Sequence, residues 1–179
     1  MNEGLIPKRY AKALYLLASE KGDAATVYKQ TALLVANMAA QPGIANAVEN
    51  PFLPTDDKVN LLATAADIKQ GLLVDFFRLV INNGRQNMIY DMALAYCKMY
   101  RDANGIAQVE VTTAALLPDA SLNKIKDSVK SCIDAKEVEY SVKVNPELIG
   151  GFTVKVDSKL LDASIRSELT DLRFKLLSK

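Results

Sequence analysis

Asn104-Gly105-Ile106-Ala107-Gln108-Val109-Glu110-Val111-Thr112-Thr113 is the stretch at which this sequence changes period. From Ala107 onward, Ala107, Val109, Val111 and Thr113 alternate with Gln108, Glu110 and Thr112. That two-residue period belongs to a half-buried strand. Before Asn104 the apolar residues recur every three or four positions, the period of helices. The change predicts two domains: an all-α six-helix bundle over residues 1–104, then a small α+β domain over residues 105–179.

Downstream, Pro118 and Asp119 open a predicted helix with Leu122, Ile125, Val129 and Cys132 on one side. Val138, Tyr140, Val142 and Val144 then alternate with Glu139, Ser141 and Lys143, and Phe152, Val154 and Val156 with Thr153, Lys155 and Asp157. A turn at Asp157-Ser158-Lys159 leads to a short Leu160-Leu161 segment. Ser164 caps a last helix bearing Ile165, Leu169, Leu172 and Leu176. The expected order is strand, helix, strand, strand, short strand, helix.

Upstream, the first helix is predicted over about Ile6 to Lys21. Ile6, Tyr10, Ala13, Leu14 and Leu17 form one face, and Ala11, Tyr15 and Ala18 a smaller strip. Gly22 can end it and Asp23 can cap the second helix, which carries Val27, Leu34, Val35 and Met38. A third, about Ile44 to Glu49, stops at Asn50-Pro51. Thr55 is read as the cap of the fourth, with Asp56 and Asp57 facing the positive end of its dipole. The fifth, about Lys69 to Asn83, is apolar on two sides: Leu72, Phe76, Leu79 and Val80 on one, Leu73, Phe77 and Ile81 on the other. Such a helix is central in its bundle or docks something with its second face. Gly84 ends it, and the sixth follows from about Gln86 to Ala103.

Composition removes several classes of function. Net charge is +1, with 11 basic and 10 acidic residues up to Asn104 and 11 of each after it. Neither half has the basic excess that neutralising phosphates requires, so no nucleic acid is expected. Histidine is absent, which removes His-based acid–base work, His-activated nucleophiles and the usual zinc sites. Cys97 and Cys132 are read as free, packed thiols. No apolar run approaches the ~20 residues that span a bilayer. No secretory signal is visible at Met1 to Lys12, and a cytoplasmic protein is expected. No catalytic, cofactor or metal site and no small-molecule substrate is expected.

Some motifs invite sharper readings. Gly150-Gly151 has no following Lys-Ser and opens no helix, so backbone freedom at the start of a strand is preferred to a phosphate loop. Asp162 near Ser164 reads as a turn and cap device. Arg85 reads as a helix-start or interdomain ion pair, with an anion contact as the alternative. Tyr10, Tyr15, Tyr96 and Tyr100 read as core tyrosines with wet hydroxyls.

Three stretches carry a resemblance. They are Arg9-Tyr10-Ala11-Lys12-Ala13-Leu14, then Asn83-Gly84-Arg85, and then Asn145-Pro146-Glu147-Leu148-Ile149-Gly150-Gly151-Phe152-Thr153-Val154-Lys155-Val156 with Leu161-Asp162-Ala163-Ser164-Ile165-Arg166. In this order they resemble the delta subunit family of F-type ATP synthases, bacterial type, which corresponds to the mitochondrial oligomycin-sensitivity-conferring protein. The family usually has Gly where Asp157-Ser158 and Ala163 stand here. The resemblance implies a non-catalytic stator. Its helical domain would bind an amphipathic N-terminal helix of an alpha subunit at the crown of the alpha/beta head. Its second domain would contact the C-terminal end of the b-type stalk, at the cytoplasmic face of the bacterial membrane, so that the head does not rotate during proton-driven ATP synthesis. On that reading Tyr10, Ala13, Leu14 and Leu17 line one wall of a helix groove and Phe76, Leu79, Val80 and Asn83 the other. An RNA-binding helical adaptor is the alternative from another class; an enzyme would need a converging polar constellation that is not visible.

Overall fold

The computed structural model describes residues 4–114, 137–156 and 159–177, in two compact units, Met1–Arg101 and Asp102–Lys179. The helix predicted from Pro118, Cys132, the Asp157-Ser158 turn, and the side chains of Leu160 and Leu176 lie outside the described residues.

The first unit is helical: α1 (Leu5–Glu20), α2 (Ala24–Ala40), α3 (Gly43–Glu49), α4 (Thr55–Ala65), α5 (Leu72–Asn82) and α6 (Ile89–Asn104), the last entered through a 3-10 turn at Gln86–Met88. One termination device recurs. At the end of α1, Gly22 takes φ +74°; its N–H donates to Ser19 O at 3.2 Å and that of Asp23 to Ala18 O at 2.9 Å. This paired pattern needs one residue in the left-handed region, which glycine enters without a Cβ penalty. Gly84 repeats it after α5, with Gly84 N–H on Ile81 O at 2.9 Å and Arg85 N–H on Val80 O at 3.0 Å. At the end of α4 the left-handed residue is Asp67, φ 54°, with Ile68 N–H on Ala63 O at 2.9 Å.

That last turn corrects an expectation. The fifth helix starts at Leu72, not near Lys69, because the chain leaves α4 through Asp67 and re-enters helix after Gly71 at φ +130°. Thr55 is likewise the first helical residue rather than the cap; Pro54 holds the cap position, and Asp56 and Asp57 sit in the first turn as expected. Asp23 stands at the N-cap of α2 without a side-chain cap bond.

The core gathers Ala11, Leu14, Ala18, Val27, Leu34, Leu62, Leu73, Phe77, Val80, Ile89, Met92 and Tyr96. Tyr96 is fully buried and donates to Ala24 O at 3.1 Å, which satisfies its hydroxyl. Burial pushes its phenol well above the ordinary tyrosine range. Cys97 is a buried, packed thiol, as read.

The second unit is built on a four-stranded sheet of order β2-β1-β3-β4, from β1 (Ile106–Thr113), β2 (Glu137–Val144), β3 (Gly151–Val156) and β4 (Lys159–Ser164), followed by α7 (Ile165–Leu177). β1 runs parallel to β2 and antiparallel to β3, and β3 and β4 are antiparallel. Paired on both edges, β1 buries Ala107, Val109, Val111 and Thr113, the face its alternation predicts. β2 departs from its pattern: on the sheet edge, Val142 and Val144 stay exposed.

Candidate partner-docking site

Helix α1 buries Pro7, Ala11, Leu14 and Ala18. The smaller strip, joined by Leu14, is therefore its core face. Alanine at two successive contact levels lets the helix approach its neighbours closely. The strip Ile6, Tyr10, Ala13, Leu17, at spacings of four, three and four, is left outside: Ile6 and Tyr10 are half-buried, Ala13 is exposed, and Leu17 is 43% exposed. Helix α5 does the same. It buries Leu73, Phe77, Val80 and Ile81, and turns Leu72, Phe76, Leu79 and Asn83 away. Leu72 and Phe76 are half-buried, Asn83 is exposed and Leu79 is 52% exposed.

Two of the expected groove residues are corrected by this packing. Leu14, 4% exposed, and Val80, 0% exposed, belong to the core and present no surface to a guest. The other six remain at the surface. Their helices meet at Tyr10, whose ring stands edge-on to Phe76 at 6.3 Å, inclined by 70°. The Tyr10 hydroxyl accepts from Asn83 Nδ2 at 3.0 Å and from the Arg85 guanidinium at 3.1 Å, and the guanidinium carbon lies 5.4 Å from the ring centre. The partner of Arg85 is thus Tyr10 of the same unit. Within this unit, among the described residues, it makes no ion pair at a helix start, which corrects that part of the reading. Gly84 carries this geometry, because the left-handed turn brings residue 85 back over the last turn of α5.

Beside this hub is an open depression of about 230 Å³ lined by Leu5, Ile6, Arg9, Tyr10 and Arg85. Sequence spacing missed Leu5 and Arg9 as members of this region, and Leu16 as a further surface residue of α1. Leu5 and Leu16 are each more than half exposed, and the only available signal was that both lie off the strip that packs inward.

In the second unit Gly151 has φ +76°, and a Cβ there would strike the Ala163 carbonyl oxygen. A Cβ on Gly150 would meet the end of the Ile165 side chain. The pair serves backbone geometry, as expected. Asp162 Oδ1 accepts from Ser164 N–H at 2.9 Å, and Ser164 Oγ from Ser167 N–H at 3.3 Å, capping α7. Hydrogen bonds from the Ser164 hydroxyl first and then its N–H, with one from the Ser167 side chain, hold the Asp162 carboxyl below the usual range. Ile149, which the sequence did not single out, has φ 66° and is largely exposed. Ile165, Leu169 and Leu172 of α7 are exposed as well.

Comparison with known proteins decides the family. The family described as ATP synthase delta (OSCP) subunit matches residues 6–176. The chain belongs to it. The ATP synthase subunit delta of Parabacteroides distasonis is 33% identical over 178 residues, covering 99% of this chain and 98% of that protein. That of Caulobacter sp. strain K31 is 34% identical over 172 residues, covering 94% and 92%. A chain in the mitochondrial ATP synthase hexamer of Toxoplasma gondii shares the fold, with a TM-score of 0.75 at 19% identity, covering 96% of this chain and 97% of that one. This delta-family chain is therefore a non-catalytic peripheral-stalk subunit of an ATP synthase. Its partners lie in the catalytic head and the stalk. Nothing in these likenesses favours the RNA-binding alternative. Among the described residues no helix is long and apolar enough to cross a membrane. Membership of the peripheral stalk makes the chain part of a membrane-associated complex.

Proposed function

We propose that the helical unit, read as a six-helix bundle over residues 1–104, docks the amphipathic N-terminal helix of an alpha subunit in the furrow between α1 and α5. The observation that carries this reading is that Leu17 and Leu79 stay 43% and 52% exposed, on two helices already joined through Tyr10 and Phe76. A guest helix with anchors at i, i+3, i+4 and i+7 matches strips of that spacing. Exposed Ala13 lets its backbone come close. The second unit holds the C-terminal end of a b-type stalk, with Ile165, Leu169 and Leu172 of α7 as its contact. Set at the cytoplasmic face of a bacterial membrane, the two attachments keep the head from following the rotor during proton-driven synthesis.

Calorimetric titration of the full chain with a peptide of the alpha N-terminus tests the first attachment. Binding with a negative heat-capacity change is expected, since apolar surface is removed from water. A folded chain that takes up no peptide refutes it. For the second, Leu169→Ser should weaken capture of a b-type stalk peptide and leave alpha-peptide binding intact.

A further inference from the structure

The Tyr10 end of the furrow carries a polar arrangement that helix-in-groove docking by itself does not use. Arg9 and Arg85 line one open depression. Among the described residues no carboxylate pairs with either. Asp75, the one acidic residue of α5, is exposed and bonds to neither, and α1 has no acidic residue before its last, Glu20. The Tyr10 oxygen already accepts two hydrogen bonds, from Asn83 and Arg85. A phenol also has one proton to donate, and Tyr10's has no acceptor among the described residues. Arg85 is held in place by the Gly84 turn, by its hydrogen bond to the Tyr10 hydroxyl and by its cation–π contact with the ring, so it is oriented before anything binds.

Two guanidinium groups and one free hydroxyl proton at a single depression are all donors. The group that fits is anionic and accepts only: a carboxylate, taking charge-assisted hydrogen bonds. We propose that this end of the furrow is a carboxylate anchor for an acidic side chain flanking the apolar seam of the docked helix. The anchor rests on the docking reading above and adds a chemical requirement to it. An apolar helix of the right spacing but the wrong flank charge would meet two unpaired arginines.

The test uses the full chain and three synthetic amphipathic peptides. All share one leucine seam at i, i+3, i+4 and i+7, and they differ only in the residues flanking the two ends of the seam, which are Glu, Gln or Lys. Calorimetry should rank them Glu, Gln, Lys, with about tenfold between the first two, as bonds to charged groups give. Added salt should narrow the gap. Arg85→Gln should erase it. Because Arg85 also supports Tyr10, Arg9→Glu is the second variant: its exposed side chain is outside the core, and it should shift the Glu-over-Lys preference at least tenfold toward Lys. Equal affinity for all three peptides, or an unchanged preference in Arg9→Glu, overturns the anchor while leaving the docking furrow intact. Failure of every peptide to bind a folded chain overturns both.

Discussion

Arg85 lies over Tyr10, its guanidinium carbon 5.4 Å from the ring centre and one nitrogen 3.1 Å from the hydroxyl to which it donates. The two residues are 75 apart in sequence, and their contact ties the surface strip of α1 to the end of α5. Tyr10→Phe and Arg85→Gln should each cost about 0.5–1.5 kcal/mol. In the double variant the losses should fall short of additive by at least ~0.5 kcal/mol. Urea unfolding followed by helical circular dichroism measures this; strict additivity would mean that the pair is only adjacent.

Asp67 offers a gain. It occupies the left-handed position that Gly22 and Gly84 fill after α1 and α5. Asp67→Gly relieves a Cβ penalty, and the extra freedom of glycine in the unfolded chain offsets part of it. A net stabilisation of about 0.5–1 kcal/mol is expected in the same unfolding experiment. A loss would show that the aspartate side chain does more than occupy the turn.

The two glycines before β3 should differ. Gly151→Val places a branched side chain at φ +76° against the backbone of Ala163, and should cost about 3 kcal/mol or more. Gly150→Ala meets only the flexible end of Ile165 and should cost less. Hydrogen exchange at β3 amides reads both variants, and equal costs would contradict the assignment.

Asp162 sets an acid response. Its carboxyl is held low in the folded state by bonds from Ser164, so its contribution is complete above the unfolded carboxylate value, ~3.9, and is lost as pH falls through the folded value. Protection of α7 amides should therefore fall below about pH 4 in the parent chain and respond less in Asp162→Asn. Identical acid profiles would remove Asp162 from the cap.

The architecture was largely legible because periodicity and glycine turns are local signals. The alternation from Ala107 marked β1, and Gly22 and Gly84 closed α1 and α5 where they were placed. The start of α5 was missed because an aspartate did the work of a glycine at residue 67. Choosing the core face of α1 by hydrophobic bulk also misled. Ala11 and Ala18 pack inward because they are small, while the larger Leu17 stays outside. The Tyr10 hub joins residues of two helices, so spacing within either one held no trace of it.

Leu79 decides the account most directly. At 52% exposure it contributes little to the fold of the free chain, yet it sits on the proposed contact strip. Calorimetric titration of the parent chain and of Leu79→Ser with the alpha N-terminal peptide, alongside their melting temperatures, separates the two roles. The expected result is unchanged melting with affinity reduced at least tenfold, as for an anchor residue at an interface. Equal affinity for both proteins would contradict docking between α1 and α5.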